Sequence, residues 1–166
     1  MTPLTLVAAL VLCAAGAAKL RSPDAAWHAV AVLGVRIPRW IIRPFAAAEL
    51  ALGLWVAVDP APVGGLAAAA LYVLFAAIGT LLARRHAACG CFGGGDAQAS
   101  GMQSLLSAVL AAVSLVSATV GSHGAIWLLD QGGYGFVVLI GSGACAYAVV
   151  LCYTRLPQAW RAWSAP

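Results

Sequence analysis

Five long runs of apolar, almost uncharged residues divide this chain, at 4–20, 40–58, 63–83, 102–120 and 134–152. A helix crossing the ~30 Å hydrocarbon core of a bilayer needs about 20 such residues, so each run has the length of a membrane span. What remains cannot cover a water-facing surface. Of the 166 residues, 63% are hydrophobic and only 8% charged, where a soluble domain carries about 25% charged residues. The same figures exclude disorder, coiled coil and nucleic-acid binding. The length suits one compact membrane domain. The expected fold class is an all-α membrane protein with five spans.

The charges give an expected topology. With five spans, all nine basic residues (Lys19, Arg21, Arg36, Arg39, Arg43, Arg84, Arg85, Arg155 and Arg161) fall on one side, and Asp59 and Asp130 on the other. The positive-inside rule then places the amino terminus outside and the carboxyl terminus in the cytoplasm. The first run has the length of a signal peptide, but its Lys19 and Arg21 follow the apolar stretch, so it reads as a retained helix. Gly135, Gly141 and Gly143 weaken the fifth run. Omitting it would strand Arg155 and Arg161 outside, so the charge segregation supports it.

Between the first two runs, Ser22-Pro23-Asp24 reads as N-cap, N1 proline and acidic first turn. It opens a short helix over 24–33, expected to lie in the cytoplasmic interface with Trp27, Val30 and Leu33 on one face. His28 falls on this helix and His123 in an outer loop, neither with an assigned role. Trp40, Trp160 and Trp163 are placed as interfacial anchors. Pro44 lies in the first turn of the second span, where it is expected to bend the chain.

Small residues mark the expected packing faces. Ser104, Ser107, Ala111, Ser114, Ala118 and Gly121 recur every three or four residues along the fourth span. Ala9, Cys13 and Ala17 form a shorter version on the first span, and Gly141, Cys145, Ala148 and Cys152 on the fifth. In lipid, such faces let helix backbones approach closely. A tight bundle without a wide pore is expected.

The chemistry is concentrated in Arg84-Arg85-His86-Ala87-Ala88-Cys89-Gly90-Cys91-Phe92-Gly93-Gly94-Gly95-Asp96. Two cysteines separated by one glycine can close a small disulfide ring or hold a soft metal together, and the glycine relieves the ring's backbone strain. Arg84, Arg85 and His86 favour the thiolate, the form that attacks disulfides, and Cys91 is preferred as the attacking thiol because it lies farther from the helix end. The alternatives are two unpaired cysteines in a glycine-rich turn, or a cuprous ion on the two thiolates, with His86 and Asp96 or His28 as further ligands. Cys13 and Cys145 read as packing residues; Cys152 could resolve a mixed disulfide but reads first as packing. Glu49 is the one carboxylate well inside a span, so it should face the bundle and meet Lys19 or Arg43. The pair is either an ion pair that fixes the helices or a proton relay coupled to thiol chemistry. No nucleotide, flavin or haem motif is visible, and no cofactor is assigned.

Three motifs together resemble the MauE family, within the wider DoxX-like group of small bacterial membrane proteins. They are Gly16-Ala17-Ala18-Lys19-Leu20, Ala48-Glu49-Leu50-Ala51-Leu52-Gly53 and Cys89-Gly90-Cys91-Phe92-Gly93. The resemblance covers about residues 4–120 and implies a four-helix transmembrane bundle core. To this the chain adds an outer loop and a fifth helix over 121–153, a cytoplasmic tail over 154–166 and the short interfacial helix. It also implies a redox-associated role in methylamine utilisation, assisting maturation of a disulfide-rich dehydrogenase subunit beside a thioredoxin-like partner. Such maturation occurs outside the cytoplasm, while the charge pattern puts Cys89 and Cys91 inside, so a relay of reducing equivalents is the expectation that reconciles them. The expected function is a bacterial inner-membrane thiol–disulfide redox protein, with Cys89, Cys91, His86, Glu49 and Lys19 as its site. A non-catalytic accessory subunit in a homo- or hetero-oligomer and a cuprous-ion-binding protein are the alternatives.

Overall fold

The structure, a computed structural model, describes residues 2–87 and 99–155. Among them are seven α-helices and no strand: α1 (Thr2–Arg21), α2 (Pro23–Val32), α3 (Ile42–Val58), α4 (Pro62–Arg84), α5 (Gly101–Val120), α6 (Ala125–Asp130) and α7 (Gly133–Thr154), with a 3-10 turn at Arg39–Ile41 leading into α3. Five of these, α1, α3 with its 3-10 lead-in, α4, α5 and α7, are long and apolar enough to cross a membrane. Each of the five expected runs became one helix, and the short helix after Ser22 formed with Pro23 as its first residue. The protein is an all-α, multi-pass membrane protein. Cys89, Cys91, Asp96, Trp160, Arg161 and Trp163 lie outside the described residues.

Half of α1's apolar stretch is buried, against 17% of α7's, so α1 is the centre and α7 the periphery. Val7, Val11 and Leu12 of α1 meet Val56 of α3, Ala68 and Tyr72 of α4, Leu110 of α5, and Ala146 and Tyr153 of α7 in one core. Lipid tails are as apolar as leucine, so burial alone does not drive these helices together; close packing and hydrogen bonds must. Among the long helices, α1 lies close on α3. A Cβ on Gly16 would lie 2.8 Å from the Leu50 nitrogen and 2.9 Å from the Ala46 oxygen. One on Gly53 would lie 2.7 Å from Cys13 Sγ and 2.9 Å from the Ala9 oxygen. The expected small face of α1 is thus used, with Gly16 added to it.

On α5 the expected stripe packs against the glycines of α4. A Cβ on Gly79 would meet Ser104 Oγ at 2.9 Å, and one on Gly65 would meet the Ala118 Cβ at the same distance. Gly121 does not extend that face: it caps α5 with φ +83°, and its missing side chain would touch nothing. Ser107 of that stripe, with Gln103 and Ser117 beside it, turns inward and makes a polar face. Ser117 Oγ and Thr5 Oγ1 of α1 share a 2.5 Å hydrogen bond, and Ser107 Oγ and Tyr153 Oη of α7 share one of 2.8 Å. Gln103 Nε2 donates to the Tyr153 carbonyl at 2.8 Å, while its Oε1 accepts the Ser100 N–H that opens α5.

The fifth span departs from expectation. Gly141, Cys145 and Ala148 are exposed, and the buried face carries Gly135, Ser142, Ala146 and Tyr153 instead. Both faces of α7 hold small residues; the hydrogen bonds at Tyr153 choose between them. Gly135 fits there because a Cβ would collide with the Leu128 carbonyl of α6. That helix was expected as outer loop. It forms around Leu128, which is 1% exposed, while the His123 ring stacks on Trp127 at 4.3 Å.

The close approach sets opposite outcomes for two glycine substitutions. Gly16→Ala must push α1 from the α3 backbone and should cost about 1–3 kcal/mol, the range for overpacking. Gly141→Ala, on an open helical site, should be neutral or gain up to about 1 kcal/mol from helix propensity. Thermal unfolding of both variants in the same detergent checks this. Equal effects would contradict the packing described.

Candidate functional site

The deepest charged groups sit next to the α1–α3 crossing. Lys19 follows Gly16 by one turn, and Glu49 lies between Ala46 and Leu50, the two residues whose backbones Gly16 touches. Glycine contact therefore brings the two side chains to the same place. Lys19 Nζ donates to both carboxylate oxygens of Glu49, at 2.9 Å to Oε1 and 2.8 Å to Oε2. The residues are 5% and 1% exposed. Nζ also stands 4.7 Å from the centroid of the Phe75 ring on α4, a cation–π contact. Arg43, the other candidate partner, is exposed on α3 and takes no part.

A cavity of about 20 Å³ lies beside Lys19, lined by Val11, Tyr72, Phe75, Ser107 and Tyr153. That is room for about one water molecule among groups able to hydrogen-bond it. Tyr72 Oη is anchored by donating to the Ala8 carbonyl at 2.5 Å. Lys19 and the Ser107–Tyr153 pair thus face one small space. Proton exchange within the ion pair, passed on through a single water, is chemistry this arrangement permits. It is also sufficient as a structural pin between α1, α3 and α4.

The segment with the two cysteines leaves α4 and returns to α5 at one place. The Ala99 N–H donates to the Ala87 carbonyl at 2.8 Å, and the Ala87 N–H to that of Leu82 at 3.0 Å. Ala29 of α2, Leu82 and Ala99 form a small buried cluster, and Arg85 Nη1 donates to the Val32 carbonyl at the end of α2. Helix α2 is therefore docked against the end of α4 and the residue before α5. It is held further by Trp27 Nε1 donating to the Ile37 carbonyl at 2.9 Å and by Arg39, which stacks 4.5 Å from the Trp27 ring and pairs with Asp24 at 3.6 Å.

Of the five expected site residues, the structure joins Lys19 to Glu49. It places His86 separately, exposed just beyond α4 with a left-handed φ of 52°. Cys89 and Cys91 fall outside the described residues. Cys13 is half-buried, its thiol 3.8 Å from the Leu50 carbonyl, and Cys152 is half-buried near the end of α7; both fit the expected packing role. Cys145 is exposed and does not. Among the described residues no cluster of three His, Cys, Asp or Glu is placed to hold a metal ion. Sequence reasoning passed over Tyr72, Gln103 and Tyr153. Gln103 was the available signal, as the one side-chain amide inside a span.

Removing one partner of the pair strands the other's charge in the membrane. Glu49→Gln and Lys19→Met should each cost about 3–5 kcal/mol, the range for a broken buried ion pair. The Lys19→Met/Glu49→Gln double variant should recover most of that loss. A double-mutant cycle on unfolding in detergent measures the coupling, and additive losses would show that the pair is not the pin described.

No curated protein and no solved structure matches this chain. Residues 2–122, which span α1 to the end of α5, match the family described as methylamine utilisation protein MauE. The chain belongs to the MauE family of membrane proteins linked to methylamine utilisation, and α7 lies beyond the matched part.

Proposed function

We propose that this protein is a thiol–disulfide redox protein of the bacterial inner membrane, in which Cys89 and Cys91 cycle between dithiol and disulfide. The observation carrying this reading is the Cys89-Gly90-Cys91 motif in a segment tied back on itself by the Ala99–Ala87 hydrogen bond. In a chain with few polar residues, this motif offers a reactive pair between two residues, Ala87 and Ala99, that the hydrogen bond holds together. The described basic residues all lie at the end of the bundle where α4 stops and α5 begins, so the positive-inside rule makes that end cytoplasmic, with the amino terminus outside.

The exchange is a two-electron step. One thiolate attacks a sulfur of the partner's disulfide, forming a mixed disulfide and releasing the partner's other thiolate. The second cysteine then attacks the mixed disulfide, closing the Cys89–Cys91 ring. The partner leaves as a dithiol, having gained two electrons and two protons. Run in reverse, the same steps oxidise the partner. A thioredoxin-like protein has the chemistry required of such a partner. His86 and the adjacent Arg84 and Arg85 favour the thiolate. Lys19 and Glu49, which join α1 to α3 and reach α4 through the Phe75 ring, can carry the accompanying proton.

Trapping tests this directly. With Cys13, Cys145 and Cys152 changed to serine, Cys89→Ser or Cys91→Ser should accumulate a mixed disulfide visible on non-reducing gels and dissolved by reductant. The variant lacking both should give none. Unimpaired maturation of disulfide-containing partners in cells carrying the double variant would overturn the proposal.

A further inference from the structure

A second, larger cavity of about 220 Å³ lies between α2, α3 and α4 at the basic end of the bundle. Ala29 and Val30 of α2, Ile42 and Phe45 of α3, and Leu74 and Ile78 of α4 form its walls. Lys19 and Phe75 close one side, but both donors that Lys19 commits go to Glu49, so the cavity presents hydrocarbon throughout. Phe45 and Leu74 are also exposed on the outer surface, at 37% and 44%, so the space reaches the lipid-facing side between α3 and α4. A polar head group inside it would find no hydrogen-bond partner and would lose its hydration uncompensated. A hydrocarbon chain needs none.

The rim has the opposite character. Arg36 adjoins the lining residue Ile37, and Arg43 adjoins Ile42. Both arginines are exposed, and among the described residues neither makes an ion pair, whereas Arg39 beside them is matched by Asp24. An apolar slot beneath α2, with unmatched arginines next in the chain to two of its wall residues, is complementary to an anionic amphiphile. We propose that this cavity is a binding site for an anionic phospholipid, with one acyl chain between α3 and α4 and the phosphate at Arg36 and Arg43. An occupied site would brace α2, and with it the base of the cysteine-bearing segment. The inference is independent of the redox reading, since the lipid neither gains nor loses electrons.

The test is thermal unfolding of the full chain in a neutral detergent, titrated separately with phosphatidylglycerol, phosphatidylcholine of the same chains, and a neutral isoprenoid quinone. Phosphatidylglycerol should raise the midpoint by several degrees, and the other two should give less than half that shift. The Arg36→Gln/Arg43→Gln variant and the cavity-filling Ala29→Phe should each remove most of the response, while Arg155→Gln, at the end of α7, which contributes no residue to the cavity wall, should keep it. Val30→Phe, on a half-buried position, replaces Ala29→Phe if the latter lowers the lipid-free midpoint. A response that survives cavity filling would reduce the effect to surface charge and overturn the site. A response to the quinone equal to or above that to phosphatidylglycerol would overturn the assigned ligand.

Discussion

The ion pair between Lys19 and Glu49 is the constraint from which the rest of the structure can be built. On insertion scales a charged side chain at the bilayer centre costs about 2.5–3.5 kcal/mol, so Glu49, midway along α3, needs a partner, and Lys19 in the last turn of α1 supplies it. Bringing them together demands that α1 and α3 cross closely at that depth. Gly16 and Gly53 allow it, because any Cβ would meet backbone or the Cys13 sulfur at under 3 Å. Charge and sterics therefore select the same crossing. Phe75 extends the arrangement to α4 by offering its ring face to the ammonium group.

The remaining helices are attached by polar contacts spaced along α5. Near one end Gln103 and Ser107 hold Tyr153 of α7; near the other Ser117 holds Thr5 of α1. In water each such bond would add little, because the unfolded chain bonds to solvent equally well. In lipid an unmatched hydroxyl or amide has few alternatives, so the bonds favour one helix arrangement over others. This explains how α7, with most of its surface facing outward, still takes a defined orientation. It also gives the polar groups near Lys19 a structural reason to be where they are.

Much of the fold was legible in the sequence because the bilayer imposes a length that hydropathy reveals. The run at 4–20 became Thr2–Arg21 and that at 102–120 became Gly101–Val120. The partner of Glu49 was legible for a related reason, since a buried carboxylate must find a cation and few exist. What could not be read was orientation about a helix axis. The fifth span has small residues on two faces, and only the bonds made by Tyr153, more than a turn beyond Gly141, Cys145 and Ala148, decide which is buried. The six-residue α6 carries no length signal at all. Gly121 had the spacing of a packing residue but the backbone conformation of a helix cap, a distinction that spacing does not encode. For the proposed redox site, the cysteines come from the sequence alone, and the structure adds the Ala99–Ala87 hydrogen bond between the residues on either side of them.

The proposed function requires a cytoplasmic, redox-active Cys89–Cys91 pair. The most direct measurement is thiol labelling in sealed cells of a variant whose other three cysteines are serine, using a membrane-impermeant maleimide and then a permeant one. The account predicts labelling by the permeant reagent alone, with part of the pair protected as a disulfide until reductant is added. Full labelling by the impermeant reagent, or a pair that stays wholly reduced under every growth condition, would contradict it.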